Sequence, residues 1–206
     1  LSPDGSKLLY NRFSGPSGVW SLDLGGGQPR HLIPNLMLEL VYFSPDSQRI
    51  LFTEADNSSG HTYPRRKVIP AAGGETVATF LLPPGAEDLE WSPEGEAVTY
   101  IDRATGFNLM RRPIGREEVE QISHFGEGRL LRHRWSPDGR KVLVQRRIGK
   151  QDALWILEPD RKAPPRKLVE FKSGAIFKFA WARDSKSAVF TYGQIGQDVV
   201  LLSEFD

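Results

Sequence analysis

Apolar and polar positions alternate in short runs along the whole chain. Clusters of apolar, β-branched and aromatic residues occupy residues 7–10, 49–52, 97–100 and 188–191, and Gly and Pro interrupt the sequence between them. Short runs of this composition, bounded by Gly and Pro, are typical of β-strands, and no segment sustains the 3.6-residue period of a capped helix. The pattern therefore predicts an all-β protein.

One phrase organises these strands. An aromatic residue followed by Ser-Pro-Asp-Gly, or by a variant of it, recurs at intervals of 42 to 48 residues; the copies of the turn start at Ser2, Ser44, Ser92, Ser136 and Ala182. Repeats of this length occur in propeller blades and in helical pairs, and the strand pattern selects the blades. We predict a β-propeller of four-stranded antiparallel blades.

The repeat defines the blade boundaries. The predicted blades cover residues 1–34, 36–82, 86–125, 129–171 and 175–206, all within a single domain over residues 1–206. In the fourth blade the strands are expected at 130–135, 140–146, 152–157 and 166–171. The first blade has only its last three strands and the final blade only its first three. We therefore expect about five blades of a ring of six to eight, with the missing first strand supplied from upstream residues.

The repeated turn has a backbone explanation. Proline presets φ at the second position, an acidic residue suits the third, and the fourth takes a positive φ, which glycine tolerates best. Ser47 and Ser185 replace that glycine, which predicts either strain of up to about 1 kcal/mol or another turn geometry. The residues interpreted as structural turn residues are Pro3, Asp4, Pro45, Asp46, Pro93, Glu94, Pro137, Asp138 and Asp184. The preceding aromatic residue is expected to pack between neighbouring blades.

Composition limits the alternatives. The 206 residues are 39% apolar and 10% aromatic, enough for a substantial core, and no apolar stretch reaches the roughly 18 residues of a membrane span. Without cysteine there is no disulfide framework or thiolate nucleophile. Residues 1–100 carry 7 basic and 12 acidic side chains, and residues 101–206 carry 20 and 14. Although this asymmetry favours an acidic partner for the second half, the same basic residues also serve to solubilise strand edges.

In the repeat, aromatic-Ser-Pro-Asp-Gly is followed by an apolar strand, a Gly turn, a strand such as residues 152–157 and the exit Pro-Arg-Lys-Leu. This order of features resembles the TolB-type WD40-like (PD40) propeller repeat. The resemblance covers essentially the whole chain. The last blade and the junction between the third and fourth are further similar to the C-terminal propellers of bacterial transmembrane serine/threonine kinases and related regulators. In that group the chain commonly stops soon after a strand like residues 198–202, so Asp206 is expected near the natural C-terminus.

The resemblance implies a non-catalytic module that binds a protein, peptide or other ligand, as the C-terminal domain of a bacterial membrane-associated regulator, with a periplasmic or other extracytoplasmic location. The alternative is the propeller cap of a prolyl-oligopeptidase-type serine peptidase. Homo-oligomers through the open propeller ends are a further expectation. Flanking sequence separates the first two, because a kinase and one membrane span would lie upstream, or a Gly-x-Ser-x-Gly domain downstream.

Motifs for catalysis are absent from the sequence. There is no Gly-x-Ser-x-Gly, His-Glu-x-x-His, P-loop or kinase catalytic-loop motif, so we predict no enzyme activity and no cofactor for this segment. The residues Gly25, Gly26 and Gly27 follow one strand and precede another, which favours a hairpin over a phosphate cradle. The histidines, at 31, 61, 124 and 133, lack metal-ligand spacing, and no metal site is predicted.

Candidate ligand-binding residues lie on the innermost strand of each blade, which lines the central channel of a propeller. Strand alternation places the first and third residues before the aromatic on one face. These positions hold an acidic pair beside a basic pair, and the candidate site is Asp88, Glu90, Arg132, Arg134 and Lys178. We predict ion pairs between the acidic residues and the two arginines, which either neutralise each other or leave a basic funnel for a small anion or peptide. Nucleic acid is disfavoured, because the basic hairpins lack aromatic residues for stacking.

Overall fold

The computed structural model of the chain describes residues 1–34, 41–54, 65–161 and 163–194. It divides into two compact units, Leu1–His124 and Phe125–Asp206. His61 and the predicted strand at 198–202 lie outside the described residues. The prediction of one domain over residues 1–206 stays a prediction.

The described residues contain no α-helix and form five antiparallel sheets, called blades 1 to 5 below. In unit 1, blade 1 has three strands and blades 2 and 3 have four each. The strands of this unit are β1 (Lys7–Arg12), β2 (Gly18–Asp23), β3 (Arg30–Pro34), β4 (Val41–Phe43), β5 (Arg49–Glu54), β6 (Arg65–Pro70), β7 (Ala78–Leu81), β8 (Ala86–Trp91), β9 (Ala97–Asp102), β10 (Asn108–Pro113) and β11 (Glu120–Gln121).

Unit 2 contains blades 4 and 5. Blade 4 consists of β12 (Arg129–Trp135), β13 (Val142–Ile148), β14 (Gln151–Leu157) and β15 (Arg166–Phe171), in that order across the sheet. Blade 5 consists of β16 (Ala175–Trp181) and β17 (Ala188–Gly193). Every strand pairs with its sequence neighbour within its blade, so the predicted all-β fold of four-stranded antiparallel blades, incomplete at the first and last, is confirmed.

The repeated turn joins the first two strands of each full blade. In every copy the fourth residue donates its amide to the carbonyl of the first, at 2.9 Å in four copies and 3.2 Å between Ser185 and Ala182. The fourth residue has a positive φ throughout, whether it is glycine or, at 64° and 56°, Ser47 and Ser185. Both serines thus adopt the glycine conformation of the turn rather than another geometry, and both are buried.

The turn acids accept hydrogen bonds that favour their charged form. Ser2 Oγ and Ser136 Oγ each donate to the aspartate two residues later at 2.6 Å. The hydroxyl of Ser2, followed by the amide and hydroxyl of Ser6, lowers the pKa of Asp4 from 3.8 to about 2. These contacts lie within one turn, so the carboxylates are held as parts of the backbone reversal.

Apolar side chains fill the space between neighbouring blades of a unit. In unit 1 one cluster centres on Val19, Ile50 and Phe52 between blades 1 and 2, and another on Val68 and Tyr100 between blades 2 and 3. In unit 2 the cluster between blades 4 and 5 contains Leu143, Leu154, Ile156, Ile176 and Phe179. Each blade is therefore apolar on the faces that meet its neighbours, as stacked blades require.

Two helical segments occur among the described residues, each a three-residue 3-10 turn, at Arg103–Thr105 and Pro159–Arg161. Neither is long enough to cross a lipid bilayer.

Candidate functional site

The innermost strands β8, β12 and β16 each contain a β-bulge shortly before their tryptophan. In β8, Glu87 stands opposite Ile101 and Glu90 opposite Thr99, so two residues of this strand face Tyr100 alone. In β12 the extra residue is Leu131, and in β16 it is Phe177. A bulge bends the strand and interrupts alternation, so the faces of its side chains have to be taken from the register.

The acidic pair of the sequence prediction is divided by the bulge. Asp88 adopts a φ of 50°, a left-handed conformation that aspartate tolerates better than most residues. Ile101 and Thr99 are two residues apart, so their partners Glu87 and Glu90 share a face. The expectation that Asp88 shares the face of Glu90 by simple alternation is therefore corrected, because the bulge shifts the register at Asp88.

The arginine pair is preserved, because the bulge of β12 precedes it. Arg132 stands opposite Gln145 and Arg134 opposite Leu143, which places both arginines on the face that packs against blade 5. Arg132 is exposed, and its Nη1 donates to the carbonyl of Phe177 at 2.6 Å. The guanidinium of Arg134 lies 6.0 Å from the ring centroid of Phe179, and its Nη1 donates to the carbonyl of His133 at 2.5 Å.

Lys178 lies on the other face of β16. Its neighbour Phe179 pairs with Phe190, whose ring contacts Phe171 of blade 4 edge-on at 5.6 Å. Phe179 therefore faces blade 4, and Lys178 points away from it, with its side chain exposed. The structure thus brings together Arg132 and Arg134, while Lys178 stands apart from them. The predicted ion pairs would join residues of the two units and stay a prediction.

A buried carboxylate of blade 4 makes contacts across the joint to blade 5. The side chain of Asp152 has no solvent exposure and accepts from Arg147 Nε at 2.5 Å and from the Ile176 amide at 2.9 Å. Gln145 Nε2 bridges the joint by donating to Asp152 Oδ2 and to the carbonyl of Ile176, both at 2.9 Å. Burial alone would raise the pKa of Asp152, but the arginine and these donors lower it below its usual value.

The distribution of charge among these residues indicates which kind of ligand the site suits. The charge of Asp152 is already matched by Arg147, whereas Arg132 donates to a neutral carbonyl and keeps its full positive charge. A guanidinium held in this way presents its other N–H groups in a fixed orientation, which suits recognition of a carboxylate or another oxyanion. The arrangement therefore has the chemistry that recognition of negative charge requires.

The described residues contain no cluster of three or more His, Asp or Glu side chains that could hold a metal ion. The described histidines have structural surroundings: His31 stacks on Trp20 at 4.7 Å between ring centroids, and Nδ1 of His124 lies 3.1 Å from Gln121 Nε2. His133 is fully buried. None of these contacts assembles a nucleophile with a base.

No protein-family model and no curated protein matches the sequence. Several solved structures, in contrast, are similar to the chain. A TolB structure from Acinetobacter baumannii matches 84% of the chain with a TM-score of 0.60 and 20% identity, and a putative TolB from Agrobacterium tumefaciens matches 94% with 0.65 and 22%. The fold is that of a TolB-like β-propeller. The chain spans 44% of the first of these proteins and 68% of the second.

The propeller domain of a protease is also similar to the chain. The β-propeller domain of the Trilobed protease from Pyrococcus furiosus matches 95% of the chain and 64% of that domain, with a TM-score of 0.68 and 12% identity. At such identities the likeness establishes the fold alone, and function has to be inferred from the site.

Proposed function

We propose that this TolB-like propeller segment is a non-catalytic module that binds an acidic segment of a protein or peptide partner. The observation that carries the proposal is the exposed guanidinium of Arg132, fixed by the Phe177 carbonyl beside Arg134. A pre-oriented cation binds an oxyanion with less loss of side-chain freedom than a mobile lysine does. Its position on an inner strand suits a ligand that enters from the propeller channel.

The charge of the chain supports an acidic partner. Residues 101–206, which contain both arginines, carry 20 basic and 14 acidic side chains. A positive field of this kind accelerates association with a negative ligand and loses that effect as salt rises. A small free anion shares the chemistry of the partner's carboxylates, so the two have to be separated by experiment.

The test compares a hexaglutamate peptide, inorganic phosphate, a hexalysine peptide and duplex DNA by isothermal titration calorimetry at low and moderate salt. We expect the hexaglutamate peptide to bind and Arg132→Gln to weaken it about tenfold, the size of a lost charge-assisted contact. Arg183→Gln, which removes an exposed cation beyond the inner strands, is the matched control and should leave affinity unchanged. Equal weakening by both variants would mean that net charge alone explains the binding, and it would contradict a specific site at Arg132.

The other ligands decide the class of partner. Binding of phosphate as tight as that of hexaglutamate would favour a small-anion sensor. DNA binding that falls steeply with salt would indicate a phosphate-backbone ligand instead. Binding of hexalysine but not of hexaglutamate would contradict an anion site.

For the whole protein, we propose that the propeller is the C-terminal, extracytoplasmic domain of a bacterial membrane-associated regulator. A peptidase cap is the second candidate, favoured by the similarity to the Trilobed protease propeller. Sequencing the gene on both sides of this segment distinguishes them. A kinase domain and one membrane span upstream support the regulator, and a Gly-x-Ser-x-Gly hydrolase domain downstream overturns it.

A further inference from the structure

A cavity of about 310 Å³ lies between blades 1 and 2 of unit 1, beside the loop that joins β2 to β3. Residues of blade 1 form most of its lining, and Ala71 and Ala72 of blade 2 form the remainder. The loop, residues 24–29, connects two paired antiparallel strands, which is the hairpin that the three successive glycines predict. Pockets for small molecules have volumes of about 300 to 1,000 Å³, so this cavity has room for a small molecule.

Ser21 lines this cavity from a position that is apolar in the neighbouring blade. It stands opposite Leu9, in the same way that Val68 of blade 2 stands opposite Leu51. Val68 is fully buried, and Ser21 is only 7% exposed. Among the described residues the Ser21 hydroxyl has no hydrogen-bond partner. Because a buried hydroxyl without a partner weakens a fold, its presence in this wall indicates a ligand that it binds.

Three charged side chains line the same cavity: Lys7, Asp23 and Arg30. Lys7 and Asp23 stand opposite each other on β1 and β2, with Lys7 Nζ 3.5 Å from Asp23 Oδ2. Arg30 stands opposite Ser21 and is exposed, and its guanidinium has no hydrogen-bond or ion-pair partner among the described residues. Two cations and one carboxylate leave the lining with one unmatched positive charge. The cavity therefore suits a ligand with one negative charge.

Asp23 adds an acceptor to this basic lining. Its Oδ1 accepts from the Gly25 amide at 3.0 Å, whereas its Oδ2 lies 3.5 Å from Lys7, beyond the about 2.7–2.9 Å of a charge-assisted hydrogen bond. Asp23 Oδ2 can therefore accept a hydrogen bond from a hydroxyl group of a ligand. Gly26 and Gly27 adopt φ values of 116° and 129°, which residues with a side chain rarely adopt, and they line the cavity with peptide groups alone.

We propose that this cavity binds a small hydroxycarboxylate, a carboxylic acid with hydroxyl groups along its carbon chain. Its carboxylate contacts the Arg30 guanidinium and the Ser21 hydroxyl, and one of its hydroxyls donates to Asp23 Oδ2. The side-chain amide of Gln28, also in the lining, can donate to or accept from a further hydroxyl. The site shares no residue with the one that contains Arg132, so each can be tested without the other.

The experiment compares three six-carbon probes by isothermal titration calorimetry with the 206-residue chain. D-gluconate has a carboxylate and hydroxyls, D-glucitol has hydroxyls without a carboxylate, and hexanoate has a carboxylate without hydroxyls. We expect gluconate to bind at least about tenfold more tightly than either of the others, since each of them lacks one set of hydrogen bonds. Glucitol binding as tightly as gluconate would contradict a carboxylate site. Equal binding of hexanoate would remove the role of Asp23, and absence of gluconate binding overturns the proposal as a whole.

Variants then locate the binding. Arg30→Gln should weaken gluconate about tenfold, and Arg116→Gln, which removes an exposed cation of blade 3 outside the cavity, is the matched control and should leave it unchanged. Ser21→Val, the residue type found at position 68, should weaken gluconate to a similar extent and raise the denaturant midpoint of unfolding. A lower midpoint would show that the fold itself requires this serine and would contradict a ligand-binding role. Weakening by Arg132→Gln in place of Arg30→Gln would assign the anion to the other site and overturn the proposal.

Discussion

The indole nitrogen of Trp181 donates a hydrogen bond to the main-chain carbonyl of Arg134, 2.9 Å away in the preceding blade. Trp91 makes the corresponding bond to Tyr42 in the other unit, at 3.3 Å. The acceptor is in both cases the residue just before the preceding blade's own aromatic. Tryptophan at the aromatic position of the repeat therefore joins neighbouring blades by a hydrogen bond, in addition to packing between them as a large apolar side chain.

Replacing Trp181 by phenylalanine should destabilise the chain by about 1 kcal/mol through loss of the indole bond, with more lost where the smaller ring leaves a gap. Urea unfolding followed by circular dichroism measures the change. Trp155→Phe is the matched control, because its buried Nε1 has no acceptor among the described residues. A larger loss for Trp155 than for Trp181 would contradict the role of the hydrogen bond.

Ser47 separates backbone strain from the inter-blade bond, since it combines a φ of 64° with a hydroxyl that accepts from Asp4. Ser47→Ala keeps the strain and loses the bond, and it should cost about 1 kcal/mol. Ser47→Gly also loses the bond but relieves a strain of similar size, so its cost should be smaller. Denaturant midpoints of the two variants check this order, and the reverse order would show that the positive φ of residue 47 carries no strain that glycine relieves.

Asp152 is the buried charge that ties blade 5 to blade 4. Asp152→Asn should destabilise the fold by about 3 kcal/mol, because it leaves Arg147 without its partner and weakens the acceptor for the Ile176 amide. Glu170→Gln removes one half of the exposed Lys167–Glu170 pair and should change stability by under about 0.5 kcal/mol. Thermal and urea unfolding of both variants measure the contrast. Similar losses of stability in the two variants would mean that the hydrogen bonds of Asp152 do not stabilise the joint between blades 4 and 5.

Acid should weaken the turns in a defined range of pH. Hydrogen bonds, first of all from Ser2, lower the pKa of Asp4 to about 2 in the folded chain, against 3.8 ordinarily. A carboxylate with a depressed pKa contributes its stability fully above its ordinary pKa and loses it as the pH falls through the folded value. Asp46, Asp138 and Asp184 shift in the same direction. Unfolding free energy should therefore fall from about pH 4 downwards.

The turn variants test this origin of the acid sensitivity. Asp4→Asn and Asp138→Asn should each be less stable than the parent at neutral pH and should lose less stability between about pH 4 and pH 2. Urea titrations across that range give the slopes. Parallel slopes in parent and variants would assign the acid sensitivity to other carboxylates.

The fold follows closely from local chemistry in the sequence. A turn such as Ser136 to Gly139 involves four consecutive residues, so its geometry depends on proline, the acid and the residue with positive φ. The first strand of blade 4, expected at 130–135, is Arg129–Trp135 in the structure. The inter-blade packing of the aromatics was also predicted, because large apolar residues on strands have to be buried.

The candidate site depended on features that residue type does not reveal. A bulge adds one residue to an inner strand without a marker such as glycine, and it moved Asp88 off the face of Glu90. The arginines stayed together only because the bulge of β12 falls at Leu131, before both of them. The serines at positions 47 and 185 were expected to be costly replacements of glycine, yet their hydroxyls accept hydrogen bonds from the turn of the preceding blade. The repeated exchange of Gly for Ser was the signal that sequence reasoning missed.

Hydrogen exchange at three equivalent amides is the most direct measurement of whether the repeated phrase also fastens the blades. The amides of Asp4 and Asp138 donate to serine hydroxyls of the following blade, whereas in the blade that follows Asp46 the equivalent turn residue is Gly95, which has no hydroxyl. The account predicts that, under native conditions, the first two amides exchange about tenfold more slowly than the third. Equal exchange at all three positions would contradict it.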